Sequence, residues 1–519
     1  MIEARGVRGN APLARNRGHS ERFPARWPPA GRQRCMVEHK PSRDTLPRGP
    51  PGPRRSPAGD MRLQAPPRFV PVRETVEDSG LEPGAFLRWG RGRARGFWAR
   101  GRGWLAHIGE LDSLVVHPGS RPRNRFLEIQ DRAARRAGRG NGNGWRGAGP
   151  EPALRFYGGF SFRDDHVPRD FWAAYPRARF VLPDLELEHD GEAVRLSAQE
   201  LVAPGEDVAT VRGQLRARLD YTIKGVALAA RKGDGRAPRP AARLRSGRRN
   251  WQRAVEEILS AIEDGRMEKA VLARILDVST TGAIDPVDVL AYLRRENADA
   301  HVFLFEPAAG SPIVGATPEA LAMVRGDRFR ATAVAGSVSR GATDEEQRAL
   351  ARQLLNSAKD RVEHAFTVKD MVARLEPLCR TVEAEAEPHV LTLARIQHLE
   401  TRIKAVLRPG PSVLDVLAAL HPTPAVCGLP RDAALDLLSR NEPFERGWYA
   451  GPVGWFDTRG DGVFVPALRT AVARSTTWRL FAGAGIVPGS DPDGEWDETG
   501  IKFEPVLRAL DAAGARGIR

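Results

Sequence analysis

Apolar and polar positions recur along this chain with two different periods, and the changes of period mark its elements. Trp251, Val255, Ile258, Leu259 and Ile262 fall on one helical face and Gly265 supplies a stop, so the pattern predicts a helix here. Lys269 to Val278 (KAVLARILDV) then reads as a buried strand, and Ala320 to Val338 as a hairpin turning near Gly326-Asp327. Thr343 with Glu346 forms a capping box that opens a long helix, expected to end at Glu376 because the residue before Pro377 avoids helical geometry. Upstream, Phe86 to Leu114 predicts short strands joined by glycine turns, with Trp98, Trp104 and Leu105 at the spacing of a twisted hairpin. A basic helix near Arg125 to Arg136, the loop GRGNGNGWRGAG, and strand signals in RFYGGFSF and ARFVLPDLELEH follow. Strands and helices alternate without regular βαβ spacing, which favours a large α+β domain over a doubly wound sheet.

Composition narrows the class. With 519 residues, 41% hydrophobic and 28% charged, the chain can bury a sizeable core. No run approaches the roughly 18 apolar residues of a membrane span, and the first 30 residues lack an apolar signal region, so a cytoplasmic protein without a membrane partner is expected. Three cysteines (Cys35, Cys379, Cys427) lack the spacing of a zinc site and are too few for a disulfide framework, which fits a reducing compartment.

The formal charge of +15 raises the question of nucleic acid, and the placement of the charges answers it. Residues 1 to 60 hold a net +8 and residues 231 to 250 a net +7, which leaves the rest neutral. A surface that binds a phosphate backbone needs basic residues on its ordered elements, so no nucleic-acid partner is expected. The alternative is an RNA binder that uses these Arg-rich segments, and deletion of residues 1 to 60 would separate the two readings. The charge map and patterning also suggest an organisation: a disordered Pro/Arg-rich tail over 1–60, a β-rich N-terminal half over 61–230, a basic linker or loop over 231–250, and a well-patterned region over 251–519, which the resemblance given below implies is catalytic. Met61 is the expected true start.

Several residues could carry chemistry. Asp360, Glu363 and His364 project from one helical face, and so do Glu495, Glu498 and Lys502. Taken alone, either set is equally a solvated helix face. Two helices that each present carboxylates are nevertheless the raw material of a Mg²⁺ site, because a hard cation takes oxygen ligands. The Gly-rich segment FAGAGIVPGSD (Phe481 to Asp491) allows close backbone approach to an anion but matches no nucleotide-binding fingerprint. Arg469 follows the apolar run VFVPAL on an expected strand and would demand an anionic partner if it faced inward. Pro466 within that run implies an edge or bulged strand. Lys269 at a strand start and Glu319 in the turn GATPEA have ordinary structural explanations in isolation.

In order, KAVLAR (269–274), PIVGATPEAL (312–321), AGSVSRG (335–341), AKDRVEH (358–364), IQHLET (396–401), HPTPAVCGLPR (421–431), RGWYAGPVGW (446–455), ALRTA (467–471) and GAGIVPGSDPDGEWDETGIK (483–502) resemble the chorismate-utilising enzymes, and among them the isochorismate synthases. GGFSF and WAAYPRARFVLPDLEL resemble the N-terminal half of menaquinone-pathway members. The resemblance implies a single large fold with antiparallel β-sheets forming the core and helices packed outside. It implies Lys269 as the base that activates water for attack at C2 of chorismate, and Glu319 as the acid that protonates the departing C4 hydroxyl. Glu363 and Glu498 are implied as Mg²⁺ ligands, with Asp360 and Glu495 near the ion or its waters. Arg469, Tyr449, Gly483 and Lys502 are implied around the substrate carboxylates, and Gly336, Ser337, His398 and Ala425 as further substrate contacts.

Among relatives, Lys269 favours water as nucleophile, because ammonia-using members typically have Gln there and need a glutaminase partner; none is expected here. HPTPAVCG also resembles isochorismate synthases, so reversible Mg²⁺-dependent conversion of chorismate to isochorismate for menaquinone biosynthesis is the expected function. Salicylate synthase and siderophore-pathway isochorismate synthase are the alternatives. A monomer is expected.

Overall fold

The structure is a computed structural model, and it describes residues 70–515 except 79, 120–123, 137–152, 204, 232–239 and 246. The expected tail over 1–60, the start at Met61 and the glycine-rich loop near 139–150 lie outside the described residues.

Among the described residues two large sheets face one another, and every pairing in them is antiparallel. The first has twelve strands, running from an edge at Val70–Glu77 through Arg95–Arg100, His301–Glu306, Ile313–Thr317, Thr470–Arg474 and Thr477–Ile486 to Lys269–Thr280. The second has ten, with Ile396–Leu407, Arg328–Ser339, Ala322–Arg325, Gly462–Pro466, Pro452–Asp457 and Arg155–Phe160 at its centre. Side-chain alternation divides each strand between two apolar layers. In His301–Glu306, Phe303 and Phe305 pack between the sheets while Val302 and Leu304 pack outward beneath helices. Both faces are thus covered, which explains why such strands read as continuous apolar runs rather than as alternating ones. The outward layer of the first sheet is closed by helices including Pro286–Glu296 and Pro492–Ala515, and that of the second by Arg125–Arg136, Ala358–Leu375 and Val413–Leu420. This is the α+β arrangement expected, with antiparallel sheets at the core and helices outside.

Several elements stand where the periodicity puts them. The helix Arg248–Glu263 buries Trp251, Val255 and Ile258, and Gly265 follows it with φ +69°. The hairpin turns at Gly326-Asp327 with Arg325 opposite Arg328. Others differ. The single helix expected from Thr343 to Glu376 is two, Asp344–Asn356 and Ala358–Leu375, broken at Ser357 (φ −68°, ψ 112°), whose hydroxyl accepts from the Asp360 amide. A serine that caps the next helix cannot also continue the previous one. Phe86 to Trp89 is helical, within Pro83–Trp89, and the hairpin is confined to Arg95–Arg100 and Gly103–Ile108. Within the segment read as linker, Pro240–Arg245 forms a strand beside Leu276–Thr280, because the Lys269 strand offers a pairing edge that composition does not reveal. Nor is Pro466 on an edge strand: Gly462–Pro466 lies inside the second sheet. Pro466 is its last residue, beyond the reach of Ala322–Arg325, so its missing N–H interrupts no ladder on that side. Among the described residues no helix is long and apolar enough to cross a membrane. Cys379 and Cys427 are buried free thiols.

Candidate active site

The chain passes between the sheets twice near one cleft, and each crossing leaves an ionisable side chain in it. Glu319 lies between Ile313–Thr317 of the first sheet and Ala322–Arg325 of the second, anchored by the Ala320 amide donating to Thr332 Oγ1 at 2.9 Å. Arg469 lies between Gly462–Pro466 and Thr470–Arg474 with φ +49°, so it occupies a crossover turn rather than the strand-end position expected from the sequence. A left-handed conformation in a non-glycine residue carries strain and is held only by its surroundings.

The cleft encloses about 690 Å³, part of it open to solvent. Eleven of the fourteen residues that the resemblance implies line it: Glu319, Gly336, Ser337, Glu363, His398, Ala425, Tyr449, Arg469, Gly483, Glu498 and Lys502. Lys269 is fully buried beneath its floor, with Nζ 2.9 Å from Glu363 Oε1; the contact is an ion pair and lacks the alignment of a hydrogen bond. Asp360 and Glu495 stand outside the lining.

Local backbone explains the placement. Gly336 has φ +73° and occupies a β-bulge, since Ala335 opposes Leu399 while Ser337 opposes His398. A bulge inserts one residue and re-aims its neighbours, here toward the cleft. His398 Nδ1 lies 3.0 Å from the Gly336 carbonyl, which can only accept, so Nδ1 carries the hydrogen. Nε2 is then the acceptor for Arg469 Nη2 at 2.8 Å. Burial and the Arg469 charge keep His398 neutral, its pKa well below the ordinary value. Sequence reasoning cast His398 as a substrate contact; it lines the cleft, and what the motifs did not convey is its hydrogen bond to Arg469.

Electrostatics separates the acids. Burial pushes the Glu319 carboxyl up to about 8 against the pull of Lys269, and its Oε1 has no hydrogen-bond partner among the described residues. It is therefore a neutral acid at pH 7. Burial would raise Glu363 too, yet Lys269 at ion-pair distance, with Lys502 and Lys359 beyond, brings it below the usual carboxylate value. Burial raises Asp360, with Glu363 and Glu498 adding to the shift, and burial with Glu498 raises Glu495. Glu498 pairs with Lys502 at 2.5 Å, and Lys502 Nζ donates to the Gly483 carbonyl at 2.9 Å. Glu495 pairs with Lys359 at 2.5 Å. Burial lowers Arg469 to about 10, which leaves it charged, and raises the Tyr449 hydroxyl to about 12, which leaves it protonated.

Among the described residues no three His, Cys, Asp or Glu side chains converge to hold an ion by themselves. Glu363 and Glu498 nonetheless present hard oxygen donors to one cleft, and Glu498 adds to the burial that raises both Asp360 and Glu495, so a cation there would relieve the repulsion. This suits an ion that keeps waters and takes substrate oxygen, as Mg²⁺ does.

Gly485 is a site residue that the motif reading missed. A Cβ there would sit 2.1 Å from Glu363 Oε1 and 3.2 Å from Lys269 Cε, so the absent side chain is what admits the ion pair. Its only trace in the sequence is the second glycine of GAGIV. Gly485→Ala is expected to leave the fold intact, because the displaced atom ends a flexible side chain, and to lower activity by roughly 10- to 100-fold through a misplaced Glu363. Circular dichroism with steady-state kinetics checks this, and unchanged kinetics would show that the close fit is immaterial.

The sequence profile described as "Chorismate binding enzyme" matches residues 67–511. The chain is 38% identical over 370 residues to the "Salicylate biosynthesis isochorismate synthase" of Pseudomonas aeruginosa, covering 70% of this chain and 75% of that protein. It is 34% identical over 354 residues to "Isochorismate synthase MenF" of Bacillus subtilis, covering 68% and 74% respectively. Among solved structures, the putative 2,3-dihydroxybenzoate-specific isochorismate synthase DhbC of Bacillus anthracis superposes with a TM-score of 0.63 at 26% identity, over 82% of this chain and 100% of that one. The menaquinone-specific isochorismate synthase MenF of Escherichia coli gives 0.67 at 24% identity, over 87% and 97%, and supports the fold. With the profile spanning nearly all of the described residues and the expected motifs gathered around one cleft, this chain belongs to the family of chorismate-binding enzymes.

Proposed function

We propose that the protein is an isochorismate synthase, which interconverts chorismate and isochorismate. The observation that carries this reading is the pairing of a buried, protonated Glu319 with a buried lysine, Lys269, at one cleft. The Lys269 ammonium that pairs with Glu363 must first release a proton; the resulting amine then takes a proton from water as the water oxygen bonds to C2. Both ring double bonds shift, the C4–O bond breaks with its electron pair leaving on oxygen, and Glu319 supplies the proton with which the hydroxyl leaves as water. One water enters and one departs, so the mass is unchanged. Family membership and relatives that bear the name isochorismate synthase support the reading.

Arg469, Lys502 and the Tyr449 hydroxyl, which line the cleft, would be the donors to a dianionic substrate, with Gly483 beside them. Glu363 and Glu498 would hold Mg²⁺, which supplies positive charge for the ring carboxylate. Likeness of the N-terminal half to menaquinone-pathway members supports menaquinone biosynthesis as the destination of the product.

The test is chromatography with mass detection of the full chain incubated with chorismate, with and without Mg²⁺. A Mg²⁺-dependent isomer of unchanged mass that equilibrates with chorismate is expected. Salicylate with pyruvate would replace this reading with a salicylate synthase, and turnover without Mg²⁺ would remove the metal.

A further inference from the structure

Beneath the cleft, outside the set of residues just assigned, a buried arginine grips the helix that supplies two of them. Arg274 is five residues along the strand that begins with Lys269, and it is 5% exposed. Its guanidinium lies 3.8 Å from the ring centroid of Trp496 and 4.9 Å from that of Phe503. Nε donates to Thr499 Oγ1 at 2.5 Å and Nη2 to the Trp496 carbonyl at 3.1 Å. Trp496, Thr499 and Phe503 occupy one face of the helix Pro492–Ala515, and Glu495, Glu498 and Lys502 occupy the neighbouring face, one residue earlier at each step. A guanidinium held by two rings, a hydroxyl and a carbonyl fixes both the rotation and the axial position of that helix. A lysine could not do so, because it lacks the planar fork.

We propose that Arg274 is a positioning residue that sets the register of the C-terminal helix and so aims Glu498 at the cation and Lys502 at the substrate. This rests on the roles given to Glu498 and Lys502 above. The strand that carries the base thereby also locates the carboxylate on the opposite wall, and Lys269 and Glu498 keep their separation through one rigid element. The helix N-terminus is latched separately, by Trp251 Nε1 donating to the Pro492 carbonyl at 3.0 Å and Gln252 Nε2 to Asp493 Oδ1 at 2.9 Å. Loss of the Arg274 grip is therefore expected to rotate or shift the helix rather than release it.

The experiment compares Mn²⁺ binding, read by electron paramagnetic resonance, and chorismate kinetics in the full-length protein and in Arg274→Lys. Roughly 10- to 100-fold weaker Mn²⁺ affinity is expected in the variant, with a matching rise in the KM for Mg²⁺. Thr499→Val removes the hydroxyl acceptor at nearly constant shape; it is expected to shift the same constants in the same direction and stands in if Arg274→Lys does not fold. Leu510→Val, which trims a buried residue of the same helix far from the clamp, is expected to lower thermal stability with Mn²⁺ affinity unchanged. In a Glu498→Gln background, Arg274→Lys should add little to the loss of Mn²⁺ affinity, since both act through one carboxylate. Wild-type affinity in both Arg274→Lys and Thr499→Val, or an equal loss in Leu510→Val, would overturn the proposal. Wild-type protein that binds Mn²⁺ but leaves chorismate unchanged would remove the proposed reaction alone, whereas failure to bind Mn²⁺ would remove the positioning role as well.

Discussion

Lys269→Met is expected to lower turnover of chorismate by about 10²- to 10⁴-fold, the contribution of a positioned base. The substitution also strips Glu363 of its partner. Breaking a buried ion pair from one side costs about 3–5 kcal/mol, less whatever Glu363 recovers by taking up a proton. A loss of activity in the single variant therefore has two explanations, and the stability of a double variant tests the structural one; its activity is lost in any case if Glu363 is the Mg²⁺ ligand proposed above. In Lys269→Met/Glu363→Met both charges are gone and the space beside Gly485 is refilled with apolar side chains, so thermal stability should return toward that of the wild type. Turnover should not return. Recovery of activity together with stability would mean that Lys269 serves the fold and that another group takes the proton from water.

Glu319→Gln is expected to be the contrasting case, a loss of about 10²- to 10⁴-fold in turnover with no loss of stability. The carboxyl is already neutral at pH 7, so an amide of the same shape removes a transferable proton and little else. The sign of the pH effect follows from a pKa raised to about 8 from the ordinary 4.5. Stability that the protonated carboxyl leaves intact below about pH 4.5 is lost as pH rises toward 8, at up to about 1.4 kcal/mol per unit, because the unfolded chain ionises first. The Gln variant escapes this loss and should unfold at higher temperature than the wild type at pH 8, with the difference shrinking toward pH 5. Wild-type kcat/KM should fall as pH rises through about 8, as Glu319 loses its proton, and the residual activity of Glu319→Gln should lack that limb. Thermal scans at pH 5 and 8 with a pH–rate profile measure both, and wild-type activity in the variant would end the assignment of Glu319 as the acid.

Much of the site was legible because chemistry-bearing residues occur in short ordered motifs. Lys269 with its apolar strand, Glu363 and Glu498 on helical faces, and the glycines of GAGIV were all visible as types and spacings. What the motifs could not convey was which residues act on one another. His398 and Arg469 are 71 residues apart in sequence, and only the bulge at Gly336 and the crossover at Arg469 bring Nε2 within 2.8 Å of the guanidinium. The pairing of Lys269 with Glu363 likewise depends on Gly485 having no side chain.

The same division holds for the fold. Local pattern was enough to predict the helix at Trp251, the strand at Lys269 and the hairpin at Gly326, because periodicity, capping and turn chemistry act over a few residues. It misjudged the strand Pro240–Arg245 and the setting of Pro466, each decided by a partner distant in sequence, and the break at Ser357, where a local cap overrode the helical pattern. The sequence by itself thus determined the element types, the class of fold and the inventory of acids, bases and glycines. Only the tertiary structure decided that Glu319 is protonated while Glu363 is ionised. Burial acts on both carboxyls in the same direction, and what separates them is that Glu363 meets the Lys269 ammonium at 2.9 Å and Glu319 does not.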